Sequence, residues 1–516
     1  MHEIVTLQLG QRSNYLATHF WNAQESYFTY SEREQSMVDH DIHFRAGLGA
    51  DGSETFTPRT VIYDLKGGFG TLRKFNALYE VLDDQPTDGI WDGTPARQQQ
   101  QPIEVSEYQR NLDLGLPTRQ LGAADVRYWS DFNRVFYHPR SIVQLNEYEL
   151  NSQLMPFESW SAGEDLFQSL DKEFDLLDRD VRSFTEECDQ MQGFQLFSGA
   201  DDAWGGFAAR YLDTLRDEYG KTSIWVWGIE DQSRTTRQKQ LLRTSNAARS
   251  LRTIGQQASA YVRLAAPPAT LPDYVRLDSA SDWLTTGLLC AGVESSTLPT
   301  RLNATGGKRG SLSLLEDTLN TAGTQNLFEL HASITSSVAG ANGSQNGGAA
   351  EQKRGPNEKD TSDLAKPSQL DFDYSPGLAT SSTARPSHIF AQVECLRDHL
   401  ESEVRPLTMS PDERLRRRLK EESVVEIFQT ALQFPLLDTF PDTLFRTGRQ
   451  GQQGLDISTA LVCDSRMKDR VLDLRNTTTR LLPLDERESL YNDLTEMAQS
   501  YGIGWESGSD SGADDE

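Results

Sequence analysis

Short apolar runs and stretches of helical spacing alternate through the first half of this chain. Ile4 to Leu9 reads as a strand that turns at Gly10 into a helix, and a second strand follows by residue 65. Leu166, Leu170, Phe174, Leu177, Val181 and Phe184 share one face, which predicts a long helix over Asp165 to Phe184. Gly193 to Phe197 is a buried strand, followed by a small-residue turn and an amphipathic helix carrying Phe207, Tyr211, Leu212 and Leu215. Thr222 to Ile229 is another strand, Gln240 to Thr253 a helix, and Ala258 to Leu264 a short strand that ends before Pro267-Pro268. Strands alternating with helices imply an α/β unit, a doubly wound parallel sheet covered on both faces. The double proline marks its edge, so the first domain is read as 1–268.

The second half is read as a smaller α+β domain over 269–504. Ser281 to Cys290 has helical spacing and Thr324 to Ile334 reads as a strand. Ile389 to Glu403 and Asp412 to Gln433 are read as helices, the second opened by Ser410-Pro411, an N-cap followed by proline at the first position. Residues 485–501 form a last helix, with Asp485 and Glu486 favouring its N-terminus. Residues 73–127 are polar and turn-rich and look like a surface insertion. The insertion 336–387 is rich in Gly, Ser, Asn, Pro and Lys and is expected to be disordered. The tail 505–516 is acidic, without a base, and is expected to have no fold of its own.

A chain of 516 residues suggests two or three cores. Its 50 Lys and Arg against 77 Asp and Glu leave a net charge of −27. That balance repels nucleic acid and disfavours an anionic membrane surface for the bulk of the chain. The four cysteines are far apart and read as reduced, buried thiols. No pair of the eight histidines has metal-ligand spacing, so no metal site is indicated. The first strand leaves no room for a targeting presequence, and no apolar run approaches the roughly eighteen residues of a membrane span.

The chemistry concentrates in two turns. Strand, small-residue loop and helix is the arrangement that presents backbone N–H groups to a phosphate. The stretch from Cys188 to Tyr219 has that form, with the loop Ser198-Gly199-Ala200-Asp201-Asp202-Ala203-Trp204-Gly205-Gly206. It resembles the tubulin superfamily, which carries the same Cys, the same QGFQL and a glycine-rich nucleotide loop. MHEIVTLQLGQRSNYLATHFW resembles the opening of tubulins, with Gly10, Gln11 and Asn14 matching the first phosphate loop and Arg12-Ser13 replacing a Cys-Gly pair. Pro58 to Gly67 is similar to the tubulin strand ending in D-L-E-P-G: Asp64 is kept, and Lys66 stands where the acid serving magnesium would be. Asn246 resembles an asparagine that contacts the base. Within the superfamily the chain is identified as resembling the Misato family, through YWSDFNRVFYHPRSIVQL at 128–145, the insertion before Tyr128, and Phe434 to Pro441.

The resemblance implies a remnant nucleotide site at Gly10, Gln11, Arg12, Asn14, Asp64, Gly199, Gly205, Gly206 and Asn246, with no catalytic residue and no metal ligand assigned. Asp201 and Asp202 would repel a triphosphate by several kcal/mol at about 5 Å and an effective dielectric near 20. They either cap the following helix or bridge a magnesium ion. Arg12 either holds phosphate or pairs with these aspartates. Asp273, Asp278 and Asp282 do not form the acidic pattern that completes a neighbouring subunit's site for hydrolysis. The basic run Arg414 to Lys420 reads as a solvated helix face or as a surface for a membrane or partner.

The function the resemblance implies is that of a tubulin-like, non-catalytic scaffold in mitochondrial distribution and in partitioning mitochondria and their DNA. It would act from the cytoplasm and the cytosolic side of the mitochondrion, without bound cofactor. Its partners would be proteins: tubulin, chaperones or mitochondrial surface proteins. The alternatives are a GTP-binding switch that polymerises or dimerises, and a tubulin assembly factor acting with chaperones.

Overall fold

Strand β1 (Glu3–Leu9) is buried along its whole length, as a strand must be when parallel neighbours flank it and helices cover both faces. It lies inside a sheet of eleven strands. The computed structural model describes residues 3–29, 35–49, 52–74, 78, 103–320, 322–334, 370–377, 387–398, 409–445, 454–479 and 481–503. The other sheet strands are β2 (Thr60–Lys66), β3 (Ile142–Glu149), β4 (Met191–Gly199), β5 (Ser223–Asp231), β6 (Ala260–Ala266) and β7 (Leu327–Ile334). They continue as β8 (Phe372–Asp373), β9 (Ile389–Arg397), β10 (Val424–Thr430) and β11 (Ile457–Asp464). The helices are α1 (Gln11–Glu25), α2 (Glu107–Asp113), α3 (Trp160–Phe174), α4 (Arg182–Glu186), α5 (Ala203–Glu218) and α6 (Arg237–Gln257). After them come α7 (Asp282–Thr297), α8 (Leu312–Leu319), α9 (Pro411–Leu419), α10 (Arg466–Thr478) and α11 (Leu484–Gln499).

The sheet order is β10-β9-β11-β7-β6-β5-β4-β1-β2-β3. From β3 to β7 every pair is parallel. The order β3-β2-β1-β4-β5-β6 is that of a doubly wound sheet, which reverses direction between β1 and β4. The α/β reading therefore holds. The crevice beyond the ends of β1 and β4 is the place such a sheet offers a ligand, and Gly10 and Gly199 both end there.

The sheet does not stop at residue 268. β6 pairs with β7 through Tyr261↔Leu327 and Val262↔Phe328, and the second half continues on the same sheet. There β11 runs antiparallel to both β7 and β9. Between the halves lies α7, with every residue from Trp283 to Thr297 buried. Glu294 on α7 is wholly buried and receives Arg301, Gln24 and Tyr27 on one oxygen and Arg397 on the other. Arg397 also donates to the Tyr27 hydroxyl at 2.8 Å and to the carbonyls of Leu432 and Gln433. One carboxylate thus joins the end of α1, the core helix and β9.

Several local expectations change. Ile389–Arg397 is a strand, not a helix. It is central and covered on both faces, so Gln392 and Glu394 are buried and bond each other at 2.9 Å instead of alternating outward. The helix expected over 412–433 stops at Leu419, where Glu421 takes a positive φ of 57° and β-branched Val424-Val425 begin a strand. The helix expected over 165–184 breaks at Asp175, φ 48°, and resumes after one wide turn. Part of the insertion 336–387 is ordered. β8 pairs with β7, and Tyr374 is buried with its hydroxyl on the Leu288 carbonyl and its backbone bonded to Leu330 and Ala265. The apolar Phe372 and Tyr374 supply what the rest of that segment lacks. In the insertion 73–127, residues 103–127 also pack: Tyr108 and Leu121 are buried, and Asp438 receives Tyr108, Thr118 and Arg134. The tail 505–516 lies outside the described residues.

Replacing Glu294 by Ala would leave two guanidiniums buried without their carboxylate. A loss of about 3–5 kcal/mol is expected, measured by urea unfolding. A loss below about 1 kcal/mol would show that the joint between the halves lies elsewhere.

Candidate functional site

Three strand ends meet at the crevice. Gly10 ends β1 with φ 89°, a left-handed conformation that favours glycine, and its N–H donates to the Tyr63 carbonyl. Next along the sheet, Asp64 near the end of β2 is completely buried. Its Oδ2 accepts from Gln11 Nε2 at 2.6 Å and Asn14 Nδ2 at 2.7 Å, and its Oδ1 accepts from the Leu65 N–H at 2.8 Å. Gln11 also donates to the Gly68 carbonyl at 2.7 Å. Burial raises the Asp64 pKa from 3.8 to about 7, against the lowering effect of these donors. Gln11, Asn14 and Asp64 therefore form one internal tether between the first turn and the second.

The third strand end brings Trp204. The loop after β4 folds so that the Trp204 indole lies on Gly10, where a Cβ would meet its Nε1 at 2.4 Å. Trp204 is buried, and Phe157 from the loop before α3 packs edge-on to it at 5.2 Å. The side chain of Asp202 caps α5 by accepting from the Trp204 N–H at 2.9 Å. Asp201 Oδ2 accepts from the Asp231 N–H at 2.8 Å. Both carboxyls are held above the usual range: burial does so first, and for Asp201 the charge of Asp202 adds to it.

Arg12 does not pair with these two aspartates. It reaches Asp231 at the end of β5, at 2.8 Å, and the exposed Asp282 at the start of α7, at 3.1 Å. Burial works against the Arg12 charge, but Asp282 and Asp231 more than offset it, and its pKa is raised. Asp231 is shared with Arg243; its pKa is lowered, Arg12 and Ser233 outweighing burial.

The remaining candidates pack helices. A Cβ on Gly206 would meet the Trp160 carbonyl at 1.9 Å, and one on Gly205 would meet Ser250 Oγ at 2.3 Å. Gly205 and Gly206 thus let α5 approach α3 and α6. Asn246 is buried, donating to the carbonyls of Glu158 and Asp201 and accepting from the Trp160 N–H. Its amide is spent on the backbone of its own fold. Gly199 faces the Asp202 carboxylate, which a Cβ would meet at 2.5 Å. Lys66 is exposed.

A cavity of about 440 Å³ remains over these loops. Its wall carries Glu149, Glu158, Asp201, Asp202, Asp231 and Asp282 against Arg12, Arg127, Lys239 and Arg243. Acids outnumber bases, and the gap between the first and third turns holds an indole. The residues present do not fit a nucleotide triphosphate there. Asp231 and Phe157 went unread in the sequence: Asp231 merely ends an apolar strand, and nothing in its neighbours signals a partner for Arg12. Among the described residues, Glu329, His331 and Asp373 lie within metal-ligand reach of one another. Arg466 and Arg470 already hold Glu329, and Arg470 also holds Asp373, so that group reads as an ion-pair cluster.

The comparisons agree with this frame. The family model for the Misato Segment II tubulin-like domain matches residues 2–114, and one for the tubulin domain matches residues 118–302. The chain is 49% identical over 514 residues to Protein dml1 of Aspergillus niger, covering 99% of each. It is 47% identical over 543 aligned positions to Protein dml-1 of Neurospora crassa, covering all of both. To Protein dml1 of Schizosaccharomyces pombe it is 34% identical over 323 residues, 58% of this chain and 66% of that one.

Two outcomes are expected at this site. Titration calorimetry with GTP should give no binding for the wild type, nor for the Asp201→Gly, Asp202→Gly double variant while Trp204 fills the gap. Binding should emerge only when Trp204→Ala is added, at a stability cost of about 3–5 kcal/mol. The second concerns Asp64. A carboxyl whose pKa is raised on folding stabilises the fold most below its unfolded value, and that contribution fades as pH rises toward the folded one. Asp64→Asn removes this dependence, so the thermal-midpoint gap between wild type and variant should be wider at about pH 5 than at about pH 8. An unchanged gap would mean Asp64 is ionised throughout.

Proposed function

We propose that this chain, which belongs to the Misato/Dml1 family of tubulin-like proteins, is a non-catalytic scaffold that binds protein partners during mitochondrial distribution and the partitioning of mitochondria and their DNA. The observation that carries the non-catalytic part is the Trp204 indole seated on Gly10. It stands between the two turns that would have to close around phosphate, while Arg12 is engaged by Asp231 and Asp282. Such a protein works through its surface. The net charge of −27 directs that surface away from DNA, so a role in genome inheritance would run through proteins. No helix among the described residues is long and apolar enough to cross a membrane, which is consistent with peripheral attachment from the cytosolic side. The mitochondrial part rests on family membership.

Two measurements test the reading. Phosphate release from GTP by the purified protein should not exceed that of buffer. Depleting the chain from its own cells should leave mitochondria clumped or unevenly inherited under the microscope. Normal distribution after depletion would overturn the mitochondrial role, and sustained turnover of GTP would overturn the non-catalytic one.

A further inference from the structure

With Trp204 in the place of a phosphate, the cavity over the loops keeps an unbalanced wall. Each of its four bases is engaged: Arg12 with Asp231 and Asp282, Arg243 with Asp231, Lys239 with Glu158 at 2.7 Å, and Arg127 with Asp131 at 3.1 Å. Glu149, Asp201 and Asp202 line the same wall and form no ion pair among the described residues. Asp201 is 6% exposed. Its Oδ2 accepts from the Asp231 N–H, and its Oδ1 has no hydrogen-bond partner among the described residues. A buried carboxyl oxygen on a cavity wall without a donor is a place for a ligand that brings one. Asp201 also lines a second cavity, of about 540 Å³ between α6 and α10, but there four arginines face four acids. The excess of acid lies on the crevice side.

The chemistry of that wall selects an organic cation. It repels anions, and among the described residues no three of these carboxylates lie within metal-ligand reach of one another. Around the acids the surface is apolar. Trp204 and Phe157 line the cavity, and the loop 151–157 at its rim holds Leu154 and Met155 out at 95% and 56% exposure. An arginine or lysine has the matching form, an apolar stem that lies along aromatic rings and a charged head beyond it. We propose that this cavity docks a basic, apolar segment of a partner protein, one arginine or lysine passing Trp204 to reach Asp201 and Asp202 while an adjacent apolar residue covers Leu154 and Met155. The proposal rests on the scaffold reading and gives that scaffold a docking site. A cation there also relieves what holds these carboxyls above their usual range, their burial and, for Asp201, the neighbouring charge of Asp202.

A labelled peptide of alternating leucine and arginine tests this by fluorescence anisotropy with the full chain at low salt. It should bind the wild type about tenfold more tightly than the Asp201→Asn, Asp202→Asn variant, in which asparagine keeps the acceptor oxygens and the helix cap. The equal charge change Asp412→Asn with Glu413→Gln, on exposed α9, should leave binding unchanged. Leu154→Ser with Met155→Ser, both at exposed positions, should weaken it, and a peptide with glutamine in place of arginine should not bind. No binding, equal binding of the glutamine peptide, or equal losses in the two charge variants overturns the proposal, the last because any polycation is drawn to so acidic a chain. Magnesium bound by the wild type and not by the aspartate variant in calorimetry would assign the carboxylates to a metal instead. Dimerisation that the aspartate changes abolish would place a second copy there. If the peptide fails to bind while depletion still disturbs mitochondria, the docking site falls and the scaffold reading stands.

Discussion

Glu294 is the group on which the arrangement of this molecule depends. It is a carboxylate with no exposure, held between two guanidiniums that are equally buried. Burial opposes its charge, but Arg397 and Arg301 more than offset this, so it stays ionised, its pKa lowered. Such a group tolerates little displacement, because each donor left behind would be an unpaired buried charge. Its partners come from α1, from the segment just after α7, and from β9. The two halves of the sheet, joined along the backbone by the short parallel pairing of β6 with β7 and by the Ala265 N–H on the Tyr374 carbonyl, are therefore locked through side chains as well.

That lock reaches the crevice. Gln24 and the adjoining Tyr27 fix the far end of α1, whose first turn carries Gln11, Arg12 and Asn14. The same α7 that carries Glu294 begins with Asp282, a partner of Arg12. At the near end Asp64 draws Gln11 and Asn14 onto the second strand. Side chains that could have turned toward a ligand are thus committed to their own fold, and Trp204 fills the gap they frame.

Most of the sheet was legible because its strands are short apolar runs punctuated by Gly10, Gly199 and Pro267. The site loops were legible too, since a doubly wound order must bring the ends of β1 and β4 together. The second half was harder. In β9, polar Gln392 and Glu394 are buried and bonded to each other, so polar positions there do not mark an outward strand face. Tyr374 sits in a segment whose composition signals disorder, yet Phe372 and Tyr374 are both buried within the described residues 370–377. Arg12 could be read as a partner for an acid, but not for which one. Asp201 and Asp202 are its neighbours in charge, whereas Asp231 has the geometry, and only the register of β5 against β4 decides that.

Trp204, seated on Gly10, fills the gap between the turns that follow β1 and β4, where a phosphate would have to lie. The most direct measurement is the guanine nucleotide released when protein purified from its own cells is denatured, quantified by ion-exchange chromatography. An indole in that place predicts none above the level in a buffer blank. Stoichiometric GTP or GDP would contradict it, because Trp204 would then have to leave Gly10 in the native state.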